Sequence, residues 1–318
     1  MSVPRLSGEE LTAANVGRAL RESGGFLVHP SFDAGLCARA VAAAHEFFAL
    51  PRVLKAATAI ERSRHFRGWS EMHNVRDWRE QIHLGRERAA AGDAPPFNRL
   101  EGPNLWPPSD AWRAVITAYL DAISALGERL LACVAADLGL PASPFAGVGR
   151  DGYVLLKLIG YHPQPSAQTQ RPGVAAHVDF SWLTLTLQDS AGLEVMSPGG
   201  DWTQIEALPG ALWVHPGELL QVASGGAFTA TPHRVLNPSL DRTRVSLPFF
   251  LNPPLTGQVQ PLVPPTSVAS PTEAAHIHRV FPPGAATGAF HFGEAEWLRK
   301  GRNGWCHACS PPRAEPRE

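Results

Sequence analysis

Apolar residues recur at helical intervals through the first half of the chain and alternate, or cluster in short blocks, beyond residue 153, so the dominant period changes near the middle. Between Phe32 and Leu50, Leu36, Val41, Phe47 and Phe48 stand among alanines and the run stops at Pro51, which predicts a helix. A longer helix is predicted after Ser109, a suitable cap. There Trp112, Ile116, Tyr119, Leu120, Ile123, Leu126, Leu130, Val134 and Leu138 form one apolar stripe. Residues 86–108 are rich in Ala, Gly and Pro and predict loop. A short strand is predicted at Gln81–Gly85, next to Arg79 and Glu80, which read as a solvated pair.

Beyond Tyr153 the pattern predicts strands at Tyr153–Ile159, Trp182–Gln188, Leu193–Met196, Trp202–Ile205, Ala211–Val214, Glu218–Val222, His233–Asn237 and Arg242–Leu251. Many short strands joined by Gly, Pro, Asn and Asp turns imply an antiparallel barrel or jelly roll, and with the helices a mixed α+β class. Residues 1–108 read as an N-terminal helical and β extension, 109–252 as the long helix plus the β core, and 253–318 as a Pro-rich segment with a C-terminal helix or tail, all within one integrated unit. The stretch 253–275 and the last ten residues read as mobile.

Composition narrows the partners. A formal net charge of -1 over 318 residues offers no broad basic surface, so nucleic acid is a poor partner and a small molecule a better one. No run approaches the roughly 20 apolar residues a bilayer span needs, and Met1–Arg5 lacks the apolar core of a signal peptide, so a cytoplasmic protein without a membrane partner is expected. Four scattered cysteines suit a reducing compartment. Only three of the 28 basic residues are lysines, a bias that points to a GC-rich bacterial genome. A monomer or weak homodimer is expected.

The candidate chemistry begins at Ala176-His177-Val178-Asp179. On an extended segment residues two apart share a face, so His177 and Asp179 reach one metal ion together, and His233 in Pro232-His233-Arg234-Val235 can join them from another strand. Two neutral imidazoles and a carboxylate form the facial triad of non-haem Fe(II) oxygenases, with positions left open for a 2-oxo acid and O2. A lone His-x-Asp is weak evidence. On the next predicted strand, however, Arg244 and Ser246 again share a face, and a guanidinium with a neighbouring hydroxyl is a natural carboxylate receptor.

Leu183–Asp189, Gly192-Leu193-Glu194-Val195, Trp202, Pro232–Val235 and Ser246–Phe250 around this set resemble the isopenicillin-N-synthase-like 2-oxoglutarate/Fe(II) oxygenases. Further likeness lies in Gly25-Phe26, Phe48–Pro51, Lys55, Arg67-Gly68-Trp69, Glu80 and Gly102–Pro107, so that the resemblance covers roughly residues 8 to 252. It implies a double-stranded β-helix of the jelly-roll, cupin-like kind with flanking helices. It implies Fe(II) on His177, Asp179 and His233, and 2-oxoglutarate as co-substrate, with O2, on Arg244, Ser246 and Tyr161. Where the family often has Asn two residues before that tyrosine, this chain has Ile159, and where many relatives have Asn the chain has His215, read as a core or rim histidine.

The implied function is a dioxygenase that hydroxylates, desaturates or cyclises a small molecule of bacterial secondary metabolism. Alternatives are an Fe(II) oxidase that needs no 2-oxoglutarate, and a non-catalytic binding module on the same fold. Phe180, Trp182, Trp69 and Phe250 are the expected substrate-pocket residues. His29, His45, His65, His73 and His83 show no ligand spacing and read as structural or exposed, and Cys306-His307-Ala308-Cys309, lacking a second ligand pair, reads as an exposed tail.

Overall fold

Helix boundaries follow local chemistry. In the computed structural model, which describes residues 3–164, 171–236, 241–265, 280 and 288–302, α1 (Ala13–Ser23) starts where the Thr12 hydroxyl accepts from Asn15 N at 3.2 Å and ends at Gly24 in the left-handed region, φ 68°. Asp33 caps α2 (Ala34–Ala49) by accepting from Gly35 N at 2.8 Å, and Pro51 stops it ahead of α3 (Arg52–Ala56). The Ser109 hydroxyl accepts from Trp112 N at 3.2 Å and starts α4 (Asp110–Asp137), the long helix the stripe predicts. Short α5 (Val148–Asp151) follows.

Eight strands form the larger sheet, in the order β1 (Arg5–Ser7), β2 (Phe26–His29), β10 (Leu212–Pro216), β7 (Leu183–Gln188), β12 (Arg244–Leu251), β5 (Leu155–Tyr161), β4 (Trp78–Leu84) and β3 (Gly68–His73). A smaller sheet faces it, ordered β6 (Val174–His177), β11 (His233–Val235), β8 (Leu193–Met196) and β9 (Trp202–Gln204). After β10 comes α6 (Glu218–Ala223), and the described C-terminal part adds β13 (Gln258–Val259), β14 (Phe290–His291) and α7 (Phe292–Arg302).

Alternation along the strands divides the large sheet into two faces. One presents Leu156, Leu158, Leu185, Leu187, Val245, Leu247 and Phe249 to α2 and α4 in the main apolar core. At Gly127 that contact is so close that a Cβ would lie 2.8 Å from the Leu251 side chain. The opposite face brings Ile159, Tyr161 and Trp213 against Val174, Leu193, Val195 and Val235 of the small sheet. Two stacked sheets, antiparallel except for the parallel β1–β2 pair, with helices behind one of them are the expected jelly-roll arrangement.

Three expectations change. Residues from Glu218 onward form a helix instead of a strand, because Gly217 ends β10 and Leu219, Leu220 and Ala223 then fall on one buried helical face. The first half contributes more β structure than its helical periodicity suggests. The β3–β4 hairpin turns on Asn74, whose side-chain oxygen accepts from Arg76 N and Asp77 N at 2.8 and 3.0 Å. Its strands bear Trp, Ser, Glu, Met and His on mixed surroundings, which hides the alternation. Finally, Glu80 is no solvated residue: it is 2% exposed, and both of its oxygens accept from Lys55 Nζ at 2.8 Å. Residues 266–275, the last ten residues and Cys306–Cys309 lie outside the described residues.

Candidate metal and co-substrate site

His177 closes β6 and His233 opens β11, and the antiparallel register sets them directly opposite each other. Such pairs hold their Cβ atoms about 5 Å apart, and here the imidazole centroids are 4.2 Å apart. Asp179 lies two residues beyond His177. Its carboxylate oxygens stand 3.4 Å from His177 Nε2 and 3.6 Å from His233 Nε2, and the three ligand atoms lie within 4.8 Å of one another.

The neighbours prepare these groups to bind a cation. His177 Nδ1 faces the Ala175 carbonyl at 2.9 Å and His233 Nδ1 the Thr231 carbonyl at 3.1 Å. A carbonyl accepts only, so each Nδ1 carries the proton and each Nε2 presents a lone pair toward Asp179. Asp179 Oδ2 accepts from the Thr184 hydroxyl at 2.7 Å and from His215 Nε2 at 3.0 Å, which fixes the carboxylate plane. Burial pushes the His233 imidazolium down to about 3 against the pull of Asp179, so the ring is neutral. Burial acts in the opposite sense on Asp179, but the His233, His177 and His215 imidazoles outweigh it and hold the carboxyl well below the usual range. The neutral His233 imidazole, the His177 imidazole and an ionised Asp179 carboxylate gathered about a common point fit Fe(II).

The triad opens on a cavity of about 420 Å³ between the sheets. Arg244, Ser246 and Tyr161 share its wall, because they fall on the inward side of β12 and β5 and Arg244 pairs in register with Tyr161. The Arg244 guanidinium is held by the Gln188 side-chain oxygen at 2.6 Å and the Ser190 carbonyl at 3.1 Å, and lies 4.8 Å over the Tyr161 ring. Its remaining Nη1 is buried without a hydrogen-bond partner among the described residues. A buried cationic donor left over beside a hydroxyl fits one carboxylate oxygen. The residues present therefore suit a diacid such as 2-oxoglutarate.

Residues 151–253 match the family model for the 2OG-Fe(II) oxygenase superfamily, and residues 3–109 match that for the non-haem dioxygenase in morphine synthesis N-terminal region. Gibberellin 3-beta-dioxygenase 1 of Oryza sativa subsp. japonica is 32% identical over 270 residues, which cover 80% of this chain and 68% of that protein. The chain belongs to the 2OG-Fe(II) oxygenase superfamily. The 2-oxoglutarate-Fe(II) type oxidoreductase hxnY of Emericella nidulans is also 32% identical, over 67% of this chain, and the homoarginine-6-hydroxylase 2-ODD-233 of Oryza sativa subsp. japonica 31% identical over 62%. The matched part spans 66% and 60% of these two relatives' own lengths. Among solved structures, a full-length Neurospora crassa protein in complex with alpha-KG has a TM-score of 0.77 over 95% of this chain and 96% of that one, a likeness of fold at 19% identity. A 2OG-Fe(II) oxygenase family protein from Caulobacter crescentus reaches 0.74 over 94% and 98%, at 25% identity.

Within this superfamily member the expected pocket aromatics divide. Phe180 and Phe250 line the cavity. Trp69 does not: its indole is buried and donates to Glu80 Oε2 at 2.6 Å. Trp182 does not either, because the bends at residues 180–182 carry its ring to the helix side, edge-on to Phe145 at 5.3 Å. His215 is no isolated core histidine, since it touches Asp179. Its contact with the site was hidden because it depends on β10 and β7 pairing His215 with Thr184. Thr184 and Thr186 alternate with leucines, so their common inward face was visible, though not its target. Arg79, expected to be solvated, and His83, expected to be structural or exposed, line the cavity as well, and so do Lys157, Glu296, Arg299 and Lys300, which the sequence reading does not single out. Of these Lys157 was accessible to reasoning, standing four residues before Tyr161 on the same side of a strand. No described helix is long and apolar enough to cross a membrane.

Proposed function

We propose that this protein is a 2-oxoglutarate-dependent Fe(II) dioxygenase that oxidises a small molecule by hydroxylation, desaturation or cyclisation. The observation that carries this reading is the meeting, in one cavity, of the His177–Asp179–His233 cluster and a buried Arg244 with an unused donor. When bound, the metal and co-substrate would supply the oxidising chemistry, in which O2 is consumed, 2-oxoglutarate is converted to succinate and CO2, and a substrate C–H bond is oxidised.

The chain's own residues bind, orient and exclude water. His177, Asp179 and His233 would hold Fe(II) from one side and leave the cavity side open. Thr184 and His215 hold Asp179 through Oδ2, so Oδ1 would be available to the ion, and the Ala175 and Thr231 carbonyls keep each proton on Nδ1. Arg244, with Ser246 and Tyr161, would grip the far carboxylate of 2-oxoglutarate and thereby orient its oxo-acid end. Leu155, Val178, Phe180 and Phe250 supply apolar walls that keep bulk water from the reacting groups. The scarcity of lysine supports a GC-rich bacterial source, and a small cavity with these apolar walls suits a secondary metabolite.

The test is Fe(II)-dependent conversion of 2-oxoglutarate to succinate, screened against small molecules. Succinate should form with the wild type and Fe(II), and not with Asp179→Ala. Substrate oxidation that consumes O2 but no 2-oxoglutarate would replace this reading with the co-substrate-independent oxidase.

A further inference from the structure

The cavity carries more positive charge than the metal site and the co-substrate answer. Six cationic side chains line it: Arg76, Arg79, Lys157, Arg244, Arg299 and Lys300. Arg76 stands exposed at the rim. Arg79 is paired with Asp77 at 3.1 Å, and Arg299 and Lys300 share Glu296 at 2.6 and 3.7 Å. Among the described residues two inward cations, Arg244 and Lys157, have no carboxylate within ion-pair distance, although Glu296 and Asp179 act on Lys157 from further away.

If Fe(II) and 2-oxoglutarate occupy the site, as the proposed function requires, Asp179 offsets one of the metal's two charges. The diacid then offsets the other together with Arg244. Lys157 remains. Its ammonium forms no hydrogen bond or ion pair with the described residues and lies 4.8 Å over the Phe250 ring. It belongs to a different subsite from Arg244, because Arg244 is in register with Tyr161 and Lys157 is four residues away, roughly 13 Å along the strand. A charge enclosed by protein without a partner is costly in an isolated molecule and is retained where a ligand supplies the partner.

We propose that the substrate of this enzyme carries a carboxylate, and that Lys157 receives it at a subsite separate from the co-substrate's. With the neighbouring Arg79, Arg299 and Lys300 already paired to Asp77 and Glu296, one unpaired ammonium beside the apolar Leu155, Ile159, Pro248 and Phe250 suits a monoanion attached to an apolar body better than a phosphate, which needs several free donors. The inference rests on the proposed dioxygenase reading and names the substrate class for that site. Burial first, and then Arg79, Lys300 and Arg299, push the Lys157 ammonium well below the usual lysine range, while Asp179 opposes them. An incoming carboxylate relieves that repulsion.

The test is calorimetric binding, under anaerobic conditions, to the full chain loaded with Fe(II) and 2-oxoglutarate. The probes are hexanoate and phenylacetate, each compared with its primary amide. In the wild type the acids should bind at least about tenfold more tightly than the amides, as a charge-assisted hydrogen bond implies. Lys157→Met, which keeps the unbranched stem, should abolish that preference, Lys157→Arg should retain it, and all three proteins should bind 2-oxoglutarate equally well. The proposal is overturned if no acid outbinds its amide, if the preference survives in Lys157→Met, or if that variant loses 2-oxoglutarate affinity instead. Inorganic phosphate outcompeting the acids would overturn the assignment to a carboxylate. A wild-type protein that takes up Fe(II) but no 2-oxoglutarate refutes the underlying dioxygenase reading instead.

Discussion

Two lysines on opposite faces of the same sheet region meet opposite fates. On the helix side Lys55 is buried and fully answered: Glu80 accepts from it twice at 2.8 Å, the Phe48 carbonyl accepts at 3.2 Å, and Trp69 and His162 complete the hydrogen bonding of the same carboxylate. On the cavity side Lys157 is flanked by other cations and faces open space. A closed ionic cluster locks α3 against β3 and β4, and breaking it leaves a bare charge in the core. An open one contributes nothing to the fold and waits for a ligand. Arg244 belongs with Lys157 in this respect, held in place by neutral oxygens while one donor remains unused.

The largest effect should come from the metal cluster itself. Replacing Asp179 by Asn should cut Fe(II) affinity by more than about 100-fold, the upper limit for loss of an outer partner, as read by metal titration. Next, Glu80→Ala on the closed side should cost about 3–5 kcal/mol in denaturant unfolding while leaving the cavity's ligand preference intact. The same cluster has a pH signature. Burial raises the Glu80 carboxyl but its bonds to His162, Lys55 and Trp69 outweigh this and hold it below its ordinary 4.5. The stability it contributes is therefore complete above that value and is lost as the pH falls through the lower folded value, so Glu80→Gln should flatten the acid limb of the stability curve. Arg244→Leu on the open side should weaken 2-oxoglutarate binding by about 1.5–3 kcal/mol in calorimetry. His215→Phe should weaken metal binding about 10- to 100-fold by freeing Asp179. Smallest of all, Lys157→Met should leave unfolding stability unchanged or slightly higher, and a large loss there would place Lys157 in the structural class with Lys55.

How much of this was legible in the sequence follows from distance along the chain. The long helix, the jelly-roll class and the inward pairs His177/Asp179 and Arg244/Ser246 depend on local periodicity, and all of them appear in the structure. What escaped depends on pairing between distant strands. His215 gains its role only because β10 lies beside β7, and Glu80 becomes a core residue only because α3 brings Lys55 over β4. Nearness in sequence to the triad or to the resemblance motifs puts Trp69 and Trp182 at the pocket, whereas the Glu80 contact and the local bend at 180–182 turn them away from it. The cationic residues of α7 follow a stretch with no pattern linking it to the barrel, so no spacing could bring Arg299 and Lys300 to the cavity.

The most direct measurement is an anaerobic titration of the Fe(II)-loaded protein with 2-oxoglutarate, followed by visible charge-transfer absorption. Wild-type protein should develop the band with one equivalent bound, Arg244→Leu should require a concentration at least about tenfold higher, and Asp179→Asn should show none. A wild type that binds Fe(II) yet develops no band, or a band equally strong in Arg244→Leu at low 2-oxoglutarate, would contradict a site in which the triad and Arg244 hold the two ends of one diacid.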